Sequence, residues 1–127
     1  MSELVYRSMT LPDIEQVYEI ECSCFSQPWS VESLIGEVIR NDAASYVVAE
    51  DNGKIVGYAG MWQMFDEAHM TNIAVAAEYR CRGIATNLIL CLMRTAKANG
   101  GKRMTLEVRE FNHKAQRVYS ALGFRYA

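Results

Sequence analysis

The stretch "YRCRGIATNL", Tyr79 to Leu88, sets Gly83 between two arginines and an apolar run at helical spacing. A helix that begins there presents unpaired backbone N–H groups, and its dipole adds about half a positive charge at that end. Phosphate suits such a place. Gly83 removes the side chain that would block close approach of a ligand to the backbone, Ala85 is nearly as small, and Arg80 and Arg82 supply forked cationic donors. Glycine also opens helices for steric reasons alone, so both readings stand on these residues. Two nucleotide motifs are excluded. No Lys-Ser or Lys-Thr follows the glycine as a P-loop requires, and "RGIATN" lacks the glycines of a dinucleotide turn.

Two further side chains could move protons. Glu107 alternates with Leu106 and Val108 in "RMTLEVRE", which puts it on the polar face of a strand, where it would serve a cleft or pair with a cation across the sheet. Tyr119 follows Ala115 by one turn on the last helical segment, as a half-buried aromatic with a wet hydroxyl or as an acid.

The elements that must position these groups are legible from pattern. "LVYRSM" reads as a first strand, and Thr10 with Asp13 resembles a capping box ahead of a helix carrying Ile14, Val17 and Tyr18. Pro28 interrupts "FSQPWS", and Trp29 anchors the turn there. A second helix starts at Ser30, with Leu34, Ile35, Val38 and Ile39 inward and Glu32, Glu37 and Arg40 outward. "SYVVAE", "DNG" and "KIVGYAGMWQMF" form a hairpin around Asn52-Gly53. "AHMTNIAVA" is the next strand, and it leads through "AEYRCRG" into a helix bearing Ile84, Leu88, Ile89, Leu92 and Ala96 that ends at Gly100-Gly101. After the strand "RMTLEVRE", Asn112 can cap a helix with Ala115, Val118, Tyr119 and Leu122 on one side. Gly123 closes it, and Phe124 to Ala127 begin a further strand. One domain of mixed α/β (α+β) class follows.

Composition narrows the function classes. With 127 residues, half of them hydrophobic, and a net charge of −2, the chain has enough apolar surface for one core and no general field for polyanions, so direct nucleic-acid binding is not expected. No run of about 18 apolar residues spans a bilayer, and "MSELVYRSM" lacks the regions of a secretory signal, so a cytoplasmic protein is expected. Cys22, Cys24, Cys81 and Cys91 form no CxxC, and His69 and His113 have no partner at ligand spacing; reduced thiols and no metal are expected. Cys81 between arginines is either reactive or filler. Trp62, Met61, Met64 and Met70 read as packing residues.

Arg80-Cys81-Arg82-Gly83-Ile84-Ala85 resembles the Gln/Arg-x-x-Gly-x-Gly/Ala signature of the GNAT acyltransferases, whose loop and following helix bind the pyrophosphate of acetyl-coenzyme A. "PWS" (28–30), "NIAV" (72–75), "LEVRE-N" (106–112) and "N-x-x-A-x-x-x-Y-x-x-x-G-F" (112–124) extend the resemblance to the RimI-type ribosomal-protein-alanine N-acetyltransferases. It implies a mostly antiparallel sheet with one splayed parallel pair, flanked by helices. The pantetheine arm would bond to the backbone of Ile73, Ala74 and Val75. Arg80, Cys81, Arg82, Gly83, Ile84, Ala85 and Thr86 would hold the diphosphate, and Asn112 would touch the coenzyme. Glu107 is then the general base, acting through water, and Tyr119 the general acid at the sulfur. The region of Trp29 borders the peptide site.

The implied reaction is direct acetyl transfer from acetyl-coenzyme A to a protein's N-terminal amine, by resemblance the alanine of a small-subunit ribosomal protein. An α-amine with a pKa of about 7.7 to 8.0 needs far less deprotonation than a lysine near 10.4, so a modest base suffices. A family member acting on lysine or a small amine, and a coenzyme-binding module without turnover, are the alternatives. Because the family pattern continues past Gly-Phe, the chain is expected to be short of its C-terminal strands, leaving a sheet edge open to dimer formation.

Overall fold

A computed structural model describes residues 4–107 and 113–125. Five strands, β1 (Leu4–Ser8), β2 (Ala44–Asp51), β3 (Lys54–Met64), β4 (Glu67–Val75) and β5 (Arg103–Thr105), lie side by side in chain order. The first three pairings are antiparallel and β4–β5 is parallel. α1 (Ile14–Cys24) and α2 (Val31–Ile39) pack on one face with Tyr46, Val48, Ile55, Tyr58 and Ala74. α3 (Ile84–Ala98) and α4 (His113–Ala121) cover the other, over Val47, Ala49, Val56, Ala59, Met61 and Met70. The sheet thus separates two cores, and alternation along each strand feeds both.

Local chemistry explains the boundaries. Asp13 accepts the Thr10 N–H at 2.8 Å, the predicted capping interaction, and is clamped by Arg7 Nη1 at 2.8 Å, while Arg7 Nη2 also reaches Glu50 at 2.9 Å. Ser30 caps α2 by accepting the Ser33 N–H at 3.1 Å. Asn52 and Gly53, with φ of 50° and 86°, form the hairpin turn, and Gly123 at φ 99° closes α4. The 3-10 turn Ala77–Tyr79 bridges β4 to the loop before α3.

Several expectations need correction. The last assigned strand ends at Thr105 rather than continuing through Glu107, because β4 has by then moved out of pairing distance and an alternating pattern without a partner is not a ladder. Phe124 and Arg125 are not strand. Ile39 is exposed at the end of α2 instead of inward. Glu37 does not face solvent alone: its Oε1 accepts hydrogen bonds from the Tyr46 hydroxyl and the Trp62 indole. The strand expectation at 108–110, the cap at Asn112 and the last two residues lie outside the described residues.

Candidate active site

β4 controls the site through two irregularities. Its parallel pairing with β5 runs only from Glu67–Arg103 to His69–Thr105, where His69 Nδ1 and the Thr105 hydroxyl also meet at 2.8 Å. Beyond that rung, among the described residues, no strand pairs with Met70 to Val75 on this edge. Against β3 the register slips: Met61 opposes Met70 and Gly60 opposes Asn72, so Thr71 is an extra residue, a β-bulge. The bulge cancels alternation once. Thr71 and Asn72, although consecutive, both face α1 and α2, where Thr71 meets Tyr46 and Asn72 meets Tyr58. Ile73 and Val75 face α3.

On the α3 face a cleft of 320 Å³ opens between β4 and the two helices. Ile73, Ala74 and Val75 form one wall, Arg80, Cys81, Gly83, Ile84, Ala85 and Thr86 the second, and Ala115, Val118 and Tyr119 the third. Sequence reasoning had singled out every residue of the first two walls, and the fold brings them together with Tyr119. Gly83 caps α3 at φ 79°, a left-handed conformation that a side chain resists, and nothing lies within 4 Å of where its Cβ would stand. The first backbone donor of α3 bonded within the helix is Asn87, to the Gly83 carbonyl at 3.1 Å. The N–H groups of Ile84, Ala85 and Thr86 are therefore orphans at the positive end of a 15-residue helix. This is room and polarity for a diphosphate, and the apolar wall behind it suits a pantetheine arm.

Arg80 lines the cleft and is held there, Nε donating to the Val75 carbonyl at 3.2 Å and Nη2 to Cys24 Sγ at 3.3 Å. Arg82 is not a lining residue. Its guanidinium lies over the Tyr79 ring at 5.0 Å, and the Tyr79 hydroxyl donates to Asp51 at 2.7 Å, which ties the loop to the β2–β3 hairpin. Tyr119 is half-buried against the α3-side core, edge-on to Phe124. Burial pushes its phenol pKa above the ordinary value, so it stays protonated at neutral pH. Glu107 is exposed, two residues past the last β5 rung and on the segment that diverges from β4. Asn112 lies outside the described residues.

The opposite face of β4 carries a polar network that sequence reasoning missed. Thr71 Oγ1 donates to Asn72 Oδ1 at 2.8 Å, and Asn72 Nδ2 donates to the Tyr58 hydroxyl at 3.4 Å. Tyr46 joins Thr71 to Glu37, and its phenol pKa is raised by burial. Glu21 on α1 is 1% exposed. The signal was present: Ile14, Val17 and Glu21 follow helical spacing, so a carboxylate occupies a position of the inward stripe. Tyr46 fits only because Gly60 has no side chain, since a Cβ there would overlap the Tyr46 ring.

Among the described residues no group of three metal-ligating side chains gathers, and no helix is long and apolar enough to cross a membrane. The model of the acetyltransferase (GNAT) family matches residues 14–124. A Bacillus subtilis protein named for ribosomal protein bS18-alanine N-acetyltransferase activity is 40% identical over 119 residues, 94% of this chain and 79% of its own. A Haemophilus ducreyi ribosomal protein bS18-alanine N-acetyltransferase is 32% identical, over 88% and 76% of the two chains. The crystal structure of the Escherichia coli ribosomal-protein-S18-alanine N-acetyltransferase superposes with a TM-score of 0.90 at 28% identity, covering 98% of this chain and 79% of that one. With the split β4–β5 pair and the glycine-capped helix at its mouth, the chain belongs to the GNAT family and is an acetyl-coenzyme-A-dependent N-acetyltransferase.

Proposed function

We propose that this chain acetylates the N-terminal α-amine of a ribosomal protein that begins with alanine, acting in the cytoplasm as one catalytic domain. The observation that carries the reading is the cleft in which the donors at the start of α3, the end of β4 from Ile73 to Val75 and Tyr119 share one space. The acceptor class rests on the activity for which the Bacillus and Haemophilus relatives are named.

The chain's residues divide the work. The N–H groups of Ile84 to Thr86, with Arg80 beside them, hold the diphosphate, and Arg82 adds charge from its perch on Tyr79. The backbone between Ile73 and Val75 aligns the pantetheine arm and offers donors to the thioester carbonyl, placed where charge develops during attack. Glu107 takes the proton of the incoming amine through water. Tyr119, kept protonated by its burial, gives one to the departing sulfur. Attack is direct, with no acyl-enzyme.

A peptide panel tests this. With acetyl-coenzyme A present, an Ala-started peptide should gain one acetyl group on its α-amine by mass, in preference to the same peptide with a blocked N-terminus and an internal lysine, or to a polyamine. Acetylation confined to lysine or polyamine would overturn the acceptor assignment. Tight coenzyme binding with no thiol release on any amine would overturn catalysis.

A further inference from the structure

Once the coenzyme cleft fills the α3 face of the gap beside β4, an acceptor amine can reach the same carbonyl only from the other face. That face is walled by the C-terminal half of α1 and by the α1–α2 connection. α1 runs along the open part of β4, with the Cys24 thiol donating to the Val75 carbonyl at 3.6 Å. One turn earlier stands Glu21, whose Oε2 accepts the Trp29 backbone N–H at 2.8 Å while Oε1 has no hydrogen-bond partner among the described residues. The Asn72 amide is its polar neighbour across the sheet face and favours the charged carboxyl, against burial, which disfavours it more strongly. Glu21 therefore ties the loop carrying Trp29 to α1, the helix that the Cys24 contact holds against β4.

We infer that Glu21 is a positioning residue of the acceptor half of the site, tethering the Trp29 loop to α1 where that helix lies against β4, so that the loop forms a fixed wall for the first residue of the acceptor peptide. This rests on the acetyl-transfer reading above. A helix position of this kind normally holds a leucine or valine, and an apolar residue would pack without the cost of a buried carboxylate. What only a carboxylate or carboxamide supplies is an acceptor for a loop N–H at the edge of the gap. The Trp29 ring packs against the same core as Tyr46, Leu34 and Ala74, so the tether fixes a bulky side chain and not merely a bend in the backbone.

The test compares Glu21→Met, which keeps volume and removes the acceptor, with Glu21→Gln, which keeps the acceptor and removes the ionisable group. Loss of the hydrogen bond should raise the KM for the acceptor by about tenfold in Glu21→Met, with acetyl-coenzyme A affinity changed less than about twofold. The Trp29 amide should exchange faster with solvent in the same variant, and Glu21→Gln should restore most of both properties. If Glu21→Met loses coenzyme binding, Glu21→Asp, with its shortened reach, takes its place under the same expectations. A faster Trp29 amide with an unchanged acceptor KM would overturn the inference, as would a parallel loss of coenzyme and acceptor affinity in Glu21→Asp. Should the wild type acetylate only lysine or polyamine, the Ala-peptide reading falls by itself, and the KM contrast is then measured on that amine.

Discussion

The two faces of β4 solve different problems with the same strand. Toward α3 it presents Ile73 and Val75 to an apolar cleft whose polarity comes from backbone, at the start of α3. Toward α1 and α2 it presents Thr71 and Asn72 to tyrosines that side-chain hydrogen bonds join, with Trp62, to Glu37. Backbone recognition tolerates substitution, because an N–H points the same way under any residue. A side-chain network is set by identity, so the acceptor face should be the more brittle of the two.

The largest expected effect sharpens the contrast where the faces meet. Glu107→Gln and Tyr119→Phe should each lower kcat by about 10² to 10⁴, with acetyl-coenzyme A affinity almost unchanged, in steady-state kinetics paired with calorimetry. Unaltered turnover in both variants would take proton transfer out of their hands. Next is Gly60→Ala on the acceptor face, which drives a methyl group into the Tyr46 ring; about 1–3 kcal/mol of stability should disappear in urea unfolding. Gly60→Ala as stable as wild type would show that the network can yield, and brittleness would fail with it.

Acid should act next, through the clamp at the start of α1. Arg7 holds the buried Asp13 carboxyl down to about 2, below its ordinary 3.8, so the clamp's contribution is complete above the ordinary value and is lost as pH falls toward 2. Asp13→Asn should remove about 2 kcal/mol at neutral pH and flatten the acid limb of the stability profile over that window. An unchanged acid limb would deny the clamp its role. The smallest effect belongs to the coenzyme face: Arg82→Ala should weaken acetyl-coenzyme A binding by about tenfold or less and leave kcat nearly intact, because Ile84 to Thr86 keep their donors. A loss as large as that expected for Glu107→Gln would mean that side chains, rather than backbone, dominate this face as well.

The same division decides what could be read from sequence. Gly83, Asn52-Gly53 and Gly123 announce their turns because few other residues accept those backbone angles, and the apolar stripe of α3 announces a helix by period alone. The cleft on the α3 face was legible for that reason. The acceptor half depends on events between distant segments. A bulge at Thr71 exists only relative to β3, and no alternation along β4 reveals it. Glu37 looked solvent-facing because its partners Tyr46 and Trp62 come from β2 and β3. The strand expected through Glu107 stopped at Thr105 for the complementary reason: the pattern persists after its partner has departed. Glu21 was the one legible clue, an acid in an apolar stripe.

Thr71 also shows where this scaffold can vary. As the extra residue of the bulge it can be dropped with the alternation on either side kept: Asn72 would still face the tyrosines, and Ile73 and Val75 the greasy channel. A residue lost between Ile73 and Val75 has no bulge to absorb it and would turn Val75 toward the tyrosine hydroxyls. Length variation in β4 therefore belongs to this one point and to the hairpin tips, and new acceptors elsewhere are to be sought by changing side chains.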